Sequence, residues 1–343
     1  MDFNTNYFQD LAADLLTTPS PTGFTDSVIH KLEAYASQLG LMSQRTKKGN
    51  LVIDFPGIDP SRTVGLSAHV DTLGLMIRSI ASDGSLNITT IGGNQPMTLQ
   101  GEYCTVHNRA GQTFTGTILS KAPSSHVYEA NKSKGQTFDE LMVRLDEQVK
   151  TKQDVLDFGI NNGDFISIDP KTTFTPSGFI KSRHLDDKIS AASILTLFKW
   201  MLDSGEKPAF NVKLVLSVYE EVGHGAAHLP DGLDSFIAVD MGCIGADLSC
   251  TEYDVSICAK DSSGPYDYSL TSKLISLAKE GNIKHAVDIY PFYGSDASAA
   301  MRAGHDIPTA LIGPGVYASH GVERTHISAC EQTMKLLHAY LTQ

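Results

Sequence analysis

Five places in the sequence put a histidine or a carboxylate just past an expected strand, which is where α/β sheets gather their ligands. His69-Val70-Asp71 follows an apolar run over residues 63–68. Asp186-Asp187 opens an expected helix after an irregular loop, and Glu220-Glu221 closes an apolar strand. Asp240 ends the run 236–239, and His320 lies in a glycine-rich loop over 313–321. Residues two apart in an extended chain point the same way, so Asp71 can reach the ring that His69 presents. A carboxylate beside a metal-bound imidazole fixes its tautomer and raises its basicity. Adjacent glutamates have a chemical use as well: one binds metal, while its neighbour stays free as a base for water that the metal activates. Each piece has a plainer reading, because a His-x-Asp is common, paired Glu often form a solvated turn, and an Asp after a strand often caps the next helix. Together, two histidines and three carboxylates at strand ends form an N/O donor set suited to a pair of divalent cations.

The elements that must position these residues are legible in outline. Phe8, Leu11, Ala12, Leu15 and Leu16 follow helical spacing until Pro19 to Gly23 ends the run, and a second helix is expected over Asp26–Gln38 with Gly40 just beyond it. Leu51–Phe55 and residues 63–68 read as strands. From 73 to 175 the texture changes to short β-like stretches split by turn pairs such as Asp83-Gly84, Gly92-Gly93 and Gly163-Asp164, with one helix expected over 137–145. Beyond 185 strands alternate with helices: helix 187–202, strand 212–218, a short helix near His224, strand 236–239, and helices over Tyr268–Glu280 and 325–340. Such alternation argues for a helix-covered, largely parallel or mixed sheet. The expected architecture is one discontinuous α/β domain, residues 1–72 and 176–343, interrupted by a β-rich insertion over 73–175.

Composition bounds the partners. The 343 residues are 41% hydrophobic and 19% charged, and 27 Lys and Arg against 39 Asp and Glu leave a formal charge of −12. That balance disfavours a nucleic-acid or anionic-membrane partner, since both attract basic surfaces. The longest apolar run, 191–202, is broken by Lys199 and falls short of the ~20 residues a membrane span needs. Met1-Asp2-Phe3-Asn4 has neither the basic region nor the apolar stretch of a signal peptide. Five cysteines (104, 243, 250, 258 and 330) without a Cys-x-x-Cys suit a reducing compartment, so a cytoplasmic location is expected.

The residues that carry the chemistry resemble peptidase family M42, the co-catalytic metallo-aminopeptidases that include glutamyl, deblocking and tetrahedral aminopeptidases. The resemblance rests on His69-Val70-Asp71 followed by Gly74, Leu185-Asp186-Asp187-Lys188, Glu220-Glu221-Val222-Gly223, Asp240, Gly294-Ser295-Asp296-Ala297 and His320, in an order that spans nearly the whole chain. The 117 positions between His69 and Asp186 set it apart from related carboxypeptidases and deacylases, which have only a short stretch there. In the resembling family this interval holds a barrel-like dimerisation domain inserted into a sheet of the metallo-exopeptidase type. The resemblance implies that Asp186 bridges two metals, Zn or Co, or alternatively Mn. His69 and Asp240 would complete one site, and Glu221 and His320 the other. Glu220 would be the general base and Asp71 would orient His69. It also implies short peptides as substrates and assembly into dimers that build twelve-subunit shells. Three features depart from the family pattern: Thr72 replaces an acidic residue, Tyr317-Ala318-Ser319 precedes His320, and Gly294-Ser295-Asp296 replaces Gly-Gly-Thr-Asp. His305 and His326 are alternatives to His320 as a ligand, and His184 lies close enough to Asp186 to touch the pocket. Asp296 reads equally as a pocket residue or a helix cap. Arg302, Arg324 and Lys260 could each read an acidic side chain, but a surface role suits all three better. The expected activity is removal of N-terminal residues from short peptides. The alternative is a metal-dependent amidohydrolase or deblocking enzyme acting on N-acyl amino acids or blocked peptides. A glycosidase could use two carboxylates but would leave the histidines idle.

Overall fold

The computed structural model describes residues 4–129 and 136–343. Helix Thr5–Thr17 starts where the Asn4 side chain accepts a bond from the Tyr7 amide (3.1 Å), and it buries Phe8, Leu11, Leu15 and Leu16. Helix Asp26–Gln38 buries Val28, Ile29 and Leu32. The second helix packs on the edge of a mixed sheet of ten strands among the described residues, and the centre of that sheet is parallel. There, strand Asp59–His69 is flanked by Phe210–Ser217 on one side and Ser235–Val239 on the other, with Thr309–Val316 parallel to the latter. The hydrophobic runs that suggested strands are buried on both faces, as a doubly covered parallel sheet requires. The edges turn antiparallel: Leu51–Phe55 pairs with Phe210–Ser217, and Val255–Asp261 with Thr309–Val316.

Helix Leu185–Ser204 lies between the sheet, helix Thr5–Thr17 and the last helix, Ile327–Leu341. It is buried along most of its length, including Ile189, Ile194, Leu195, Leu197 and Phe198. Its first residues are not helical: Asp186 and Asp187 have φ/ψ of −71°/103° and −124°/21°, so the two carboxylates are presented by irregular backbone. A separate small sheet of Thr173–Phe174, Phe179–Ser182 and Glu323–His326 sets Ser182 opposite Glu323, which brings the approach to Asp186 alongside the chain that leaves His320.

Six strands between Gly74 and Ile168 close into a barrel among the described residues. Leu75, Ile77, Leu86, Ile88, Val106, Ile118, Leu141, Val143 and Ile166 fill it. The helix expected over 137–145 is not there: Phe138–Glu140 is a single 3-10 turn, and Leu141–Leu145 is a barrel strand. Phe138, Leu141, Met142 and Leu145 stand at helical spacing, but Leu141 and Val143 also alternate, and the barrel interior they fill decides the outcome. Two smaller shifts concern the site itself. The short helix expected near His224 is a turn on Glu220–Val222, ended by Gly223 at φ 85°. The last helix starts at Ile327, capped by His326, because Glu323–His326 is a strand. No helix among the described residues is long and apolar enough to cross a membrane.

Candidate metal centre

Parallel register explains why the candidate ligands meet. Ser217 stands opposite His69 and Ser67 opposite Ala238, so the ends of three neighbouring strands release Glu220-Glu221, His69-Asp71 and Asp240 at one edge of the sheet. Asp186 enters from the helix below and His320 from the loop after Thr309–Val316. The oxygens of Asp186 divide between the imidazoles: Oδ1 is 2.9 Å from His69 Nε2, and Oδ2 is 3.7 Å from His320 Nε2. His69 Nε2 also lies 3.7 Å from Glu220, and His320 Nε2 lies 3.8 Å from Glu221. Donor atoms of His69, Asp187 and Asp240 fall within 4.8 Å of one another. Asp186, Glu220, Glu221, Asp240 and His320 line an open cavity of about 370 Å³ together with Met241, Tyr293 and Arg302.

The supporting contacts refine what spacing suggested. His69 Nδ1 bonds the backbone carbonyl of Asp71 at 2.9 Å, and the Asp71 carboxylate stands off at 3.7 Å. That carboxylate accepts from the Thr22 hydroxyl (2.6 Å) and from the amides of Glu220 (3.1 Å) and Glu221 (3.3 Å). Asp71 thus holds the glutamate pair, while its main chain turns the His69 ring so that Nε2 faces the site. Asp187 accepts from the His69 amide (3.1 Å). Glu323 accepts from the amides of Asp186 and His320, both at 3.0 Å. Asp187 and Glu323 escape sequence reasoning in these roles because each acts on backbone N–H groups, which leave no side-chain pattern.

Negative charge far outweighs positive charge here. Asp71, Asp186, Asp187, Glu220, Glu221, Asp240 and Glu323 converge, and among the described residues none pairs with a lysine or arginine. Burial and the neighbouring Asp186 charge push Asp240 up to about 8, and Glu323 likewise to about 8. Glu220, Glu221 and Asp187 are driven well above the carboxylate range, first by burial and then by neighbouring carboxylates: Asp240, Asp296 and Glu221 on Glu220, Asp186, Asp71 and Glu323 on Glu221, and Asp240 and Asp186 on Asp187. Burial disfavours a charged His69, yet Asp186, Glu220 and Asp240 outweigh it and hold the ring protonated well above its ordinary range. A buried, acidic, imidazole-bearing donor set of this kind fits divalent cations, which would supply the missing positive charge.

The remaining candidates fall elsewhere. Asp296 caps nothing and does not line the cavity; it accepts from the Ser217 hydroxyl (2.7 Å) and the Ala226 amide (2.9 Å), bracing the loop that follows Glu220-Glu221. His326 caps the last helix and bonds the Ser177 carbonyl (2.8 Å). Neither His326 nor His305 lines the cavity. His184 opens, with Lys188 and Thr72, onto a larger cavity of about 610 Å³ that none of the candidate ligands reaches. Arg324 pairs with Glu252 (2.8 Å), and Lys260 bonds the Asp261 carbonyl (2.9 Å). Arg302 alone of these three cations borders the site.

Comparison with known proteins agrees with this geometry. Residues 49–336 match the family described as M42 glutamyl aminopeptidase. The YhfE protein of Bacillus subtilis (strain 168) is 44% identical over 333 residues, 97% of this chain and 96% of its own. Among solved structures, the TET aminopeptidase of Thaumarchaeota archaeon SCGC AB-539-E09 superposes with a TM-score of 0.88 at 20% identity, covering 99% of this chain and 97% of its own. The Pyrococcus horikoshii TET1 peptidase, described as able to assemble into a tetrahedron or a large octahedral shell, gives 0.85 at 21% identity over 98% and 99%. M42 peptidases depend on metal. The chain therefore belongs to peptidase family M42 and is a hydrolase of the aminopeptidase class.

Proposed function

We propose that this chain is a two-metal aminopeptidase that trims single residues from the N-termini of short peptides. The observation that carries the reading is the division of Asp186 between two imidazoles, 2.9 Å to His69 and 3.7 Å to His320, which supports a bridging carboxylate. On this reading Asp186, His69 and Asp240 hold one cation, and Asp186, Glu221 and His320 hold the other. Zn or Co suits the mixture of imidazole and carboxylate, and Mn is accommodated by the same donors. Cations held there would polarise the scissile carbonyl and make water acidic enough to lose a proton near neutral pH.

The chain's own residues then divide the work. Glu220 is left without a ligand role and takes the proton from the attacking water, returning it to the leaving amine. Its raised proton affinity, caused by burial and by Asp240, Asp296 and Glu221, suits a group that must first accept and then release. Asp71 fixes Glu220 and Glu221 by their amides, and the Asp71 carbonyl fixes the His69 tautomer. The acidic wall of the cavity favours a substrate that brings a free α-amine. Residues 73–175 serve on this reading as the dimerisation domain, with 1–72 and 176–343 as the catalytic one. The protein assembles as a homo-oligomer of dimers in the cytoplasm, where its five free cysteines stay reduced.

Glu220→Gln tests the assignment. It should lower kcat by about 10²–10⁴-fold while the protein keeps its metal. Turnover at the wild-type rate, or loss of metal in step with activity, would contradict Glu220 as the base.

A further inference from the structure

The loop that carries His320 needs external support. Ala318 and His320 both adopt positive φ, 60° and 63°, a region that side chains other than glycine's enter at a cost. Support comes from one buried carboxylate. Glu323 is 2% exposed, and its two oxygens accept separate amides 137 and 3 positions away, Oε2 from Asp186 and Oε1 from His320, each at 3.0 Å. Strand pairing of Glu323 with Ser182 keeps that carboxylate in place.

We propose that Glu323 is a positioning residue which fixes the separation of Asp186 from His320 and thereby builds the second cation site; the inference rests on the two-metal reading above. A carboxylate offers two equivalent acceptors at a fixed spacing, so one side chain sets two backbones relative to each other. From the barrel side the ring is caught as well: His320 Nδ1 bonds the Gly93 carbonyl at 3.0 Å, which directs Nε2 toward Asp186 and Glu221. Arg183 completes the brace by donating to the Gly321 carbonyl at 3.3 Å and to the Thr98 carbonyl, in a turn between two barrel strands. The His69 side stands apart from this clamp, because its amide rests on Asp187 and its ring on the Asp71 carbonyl. Loss of Glu323 therefore falls more heavily on the cation that His320 holds, which loses the anchors of both His320 and Asp186, than on the one at His69, where only Asp186 is loosened.

The test is calorimetric titration of the metal-free protein with Zn. Glu323→Gln keeps one accepting oxygen and turns an NH₂ toward the other amide. It should weaken the second zinc by about 10–100-fold and the first by clearly less. Gly93→Ala presses on the same ring from the opposite side, since its Cβ would lie 2.8 Å from His320 Nδ1. It should weaken the same site and so identify which cation His320 holds, while Glu323→Asp, which draws the carboxylate back from both amides, should weaken that site as Glu323→Gln does and decides the matter if the Gln variant does not fold. Two zincs bound with wild-type affinity by folded Glu323→Gln would overturn the proposal, as would equal weakening of both sites. Fewer than two zincs in the wild type would overturn the two-metal reading itself, and this inference with it.

Discussion

At the scale of single residues, the site separates groups that face the cavity from groups that aim them. Asp71 is of the second kind, with three donors on its carboxylate, two of them the amides of Glu220 and Glu221. Asp71→Ala should free that pair and lower kcat by about 10–100-fold, as removal of supporting partners does at metal sites. Thr22→Val, which removes the 2.6 Å bond but leaves both amide contacts of Asp71, should cost less. Steady-state kinetics on the two variants checks the order, and equal or reversed losses would contradict it. That His69, Asp186, Glu220, Glu221, Asp240 and His320 meet at one place was legible in the sequence, because their side chains stand at the ends of strands or at the start of a helix. Glu323 and Asp187 were not legible as supports, because they work through the amides of residues more than a hundred positions away. The hydrogen bond expected between His69 and the Asp71 carboxylate is made by the carbonyl of the same residue, a distinction that spacing cannot draw.

At the scale of elements, close approach of strands determines where the candidate ligands fall. Gly313 lets strand Thr309–Val316 lie flush against Asp240: a Cβ there would meet the Asp240 carbonyl oxygen at 1.6 Å. Gly313→Ala should force the two strand ends apart, costing about 1–3 kcal/mol as overpacking does. Activity should fall further than stability alone accounts for, because Asp240 moves. A denaturation midpoint and kcat measured together check this, and an unchanged kcat would contradict it. The central strands were readable from short apolar runs between turn residues. The 137–145 segment was not, because its apolar residues satisfy a helical and an alternating pattern at once, and only closure of the barrel chooses between them.

At the scale of the whole molecule, folding gathers carboxylates whose charges require cations. Asp240 moves from the ordinary 3.8 to about 8, and Glu220, Glu221 and Asp187 shift the same way. A carboxyl group whose folded value is raised stabilises the fold at low pH and loses that contribution as pH rises toward the raised value. The raised value of His69 has the same sign, since its imidazolium favours the fold until it deprotonates. Metal-stripped protein should therefore lose thermal stability as pH rises from about 4 to about 8, the window set by Asp240. Reloading with Zn should restore more stability at the upper end, where protons compete least for the ligands. A stripped-to-reloaded difference in Tm that does not grow with pH would contradict the carboxylate assignment. Light scattering should report an assembly larger than one 37.0 kDa chain, and a monomer would remove the oligomer while leaving the chemistry intact. The most direct test of the central claim is turnover of matched free and N-acetylated peptides by stripped enzyme reloaded with Zn, Co or Mn. The account predicts cleavage of the free peptides only, and only with metal added; cleavage of both peptides alike, or cleavage by the stripped enzyme, would contradict it.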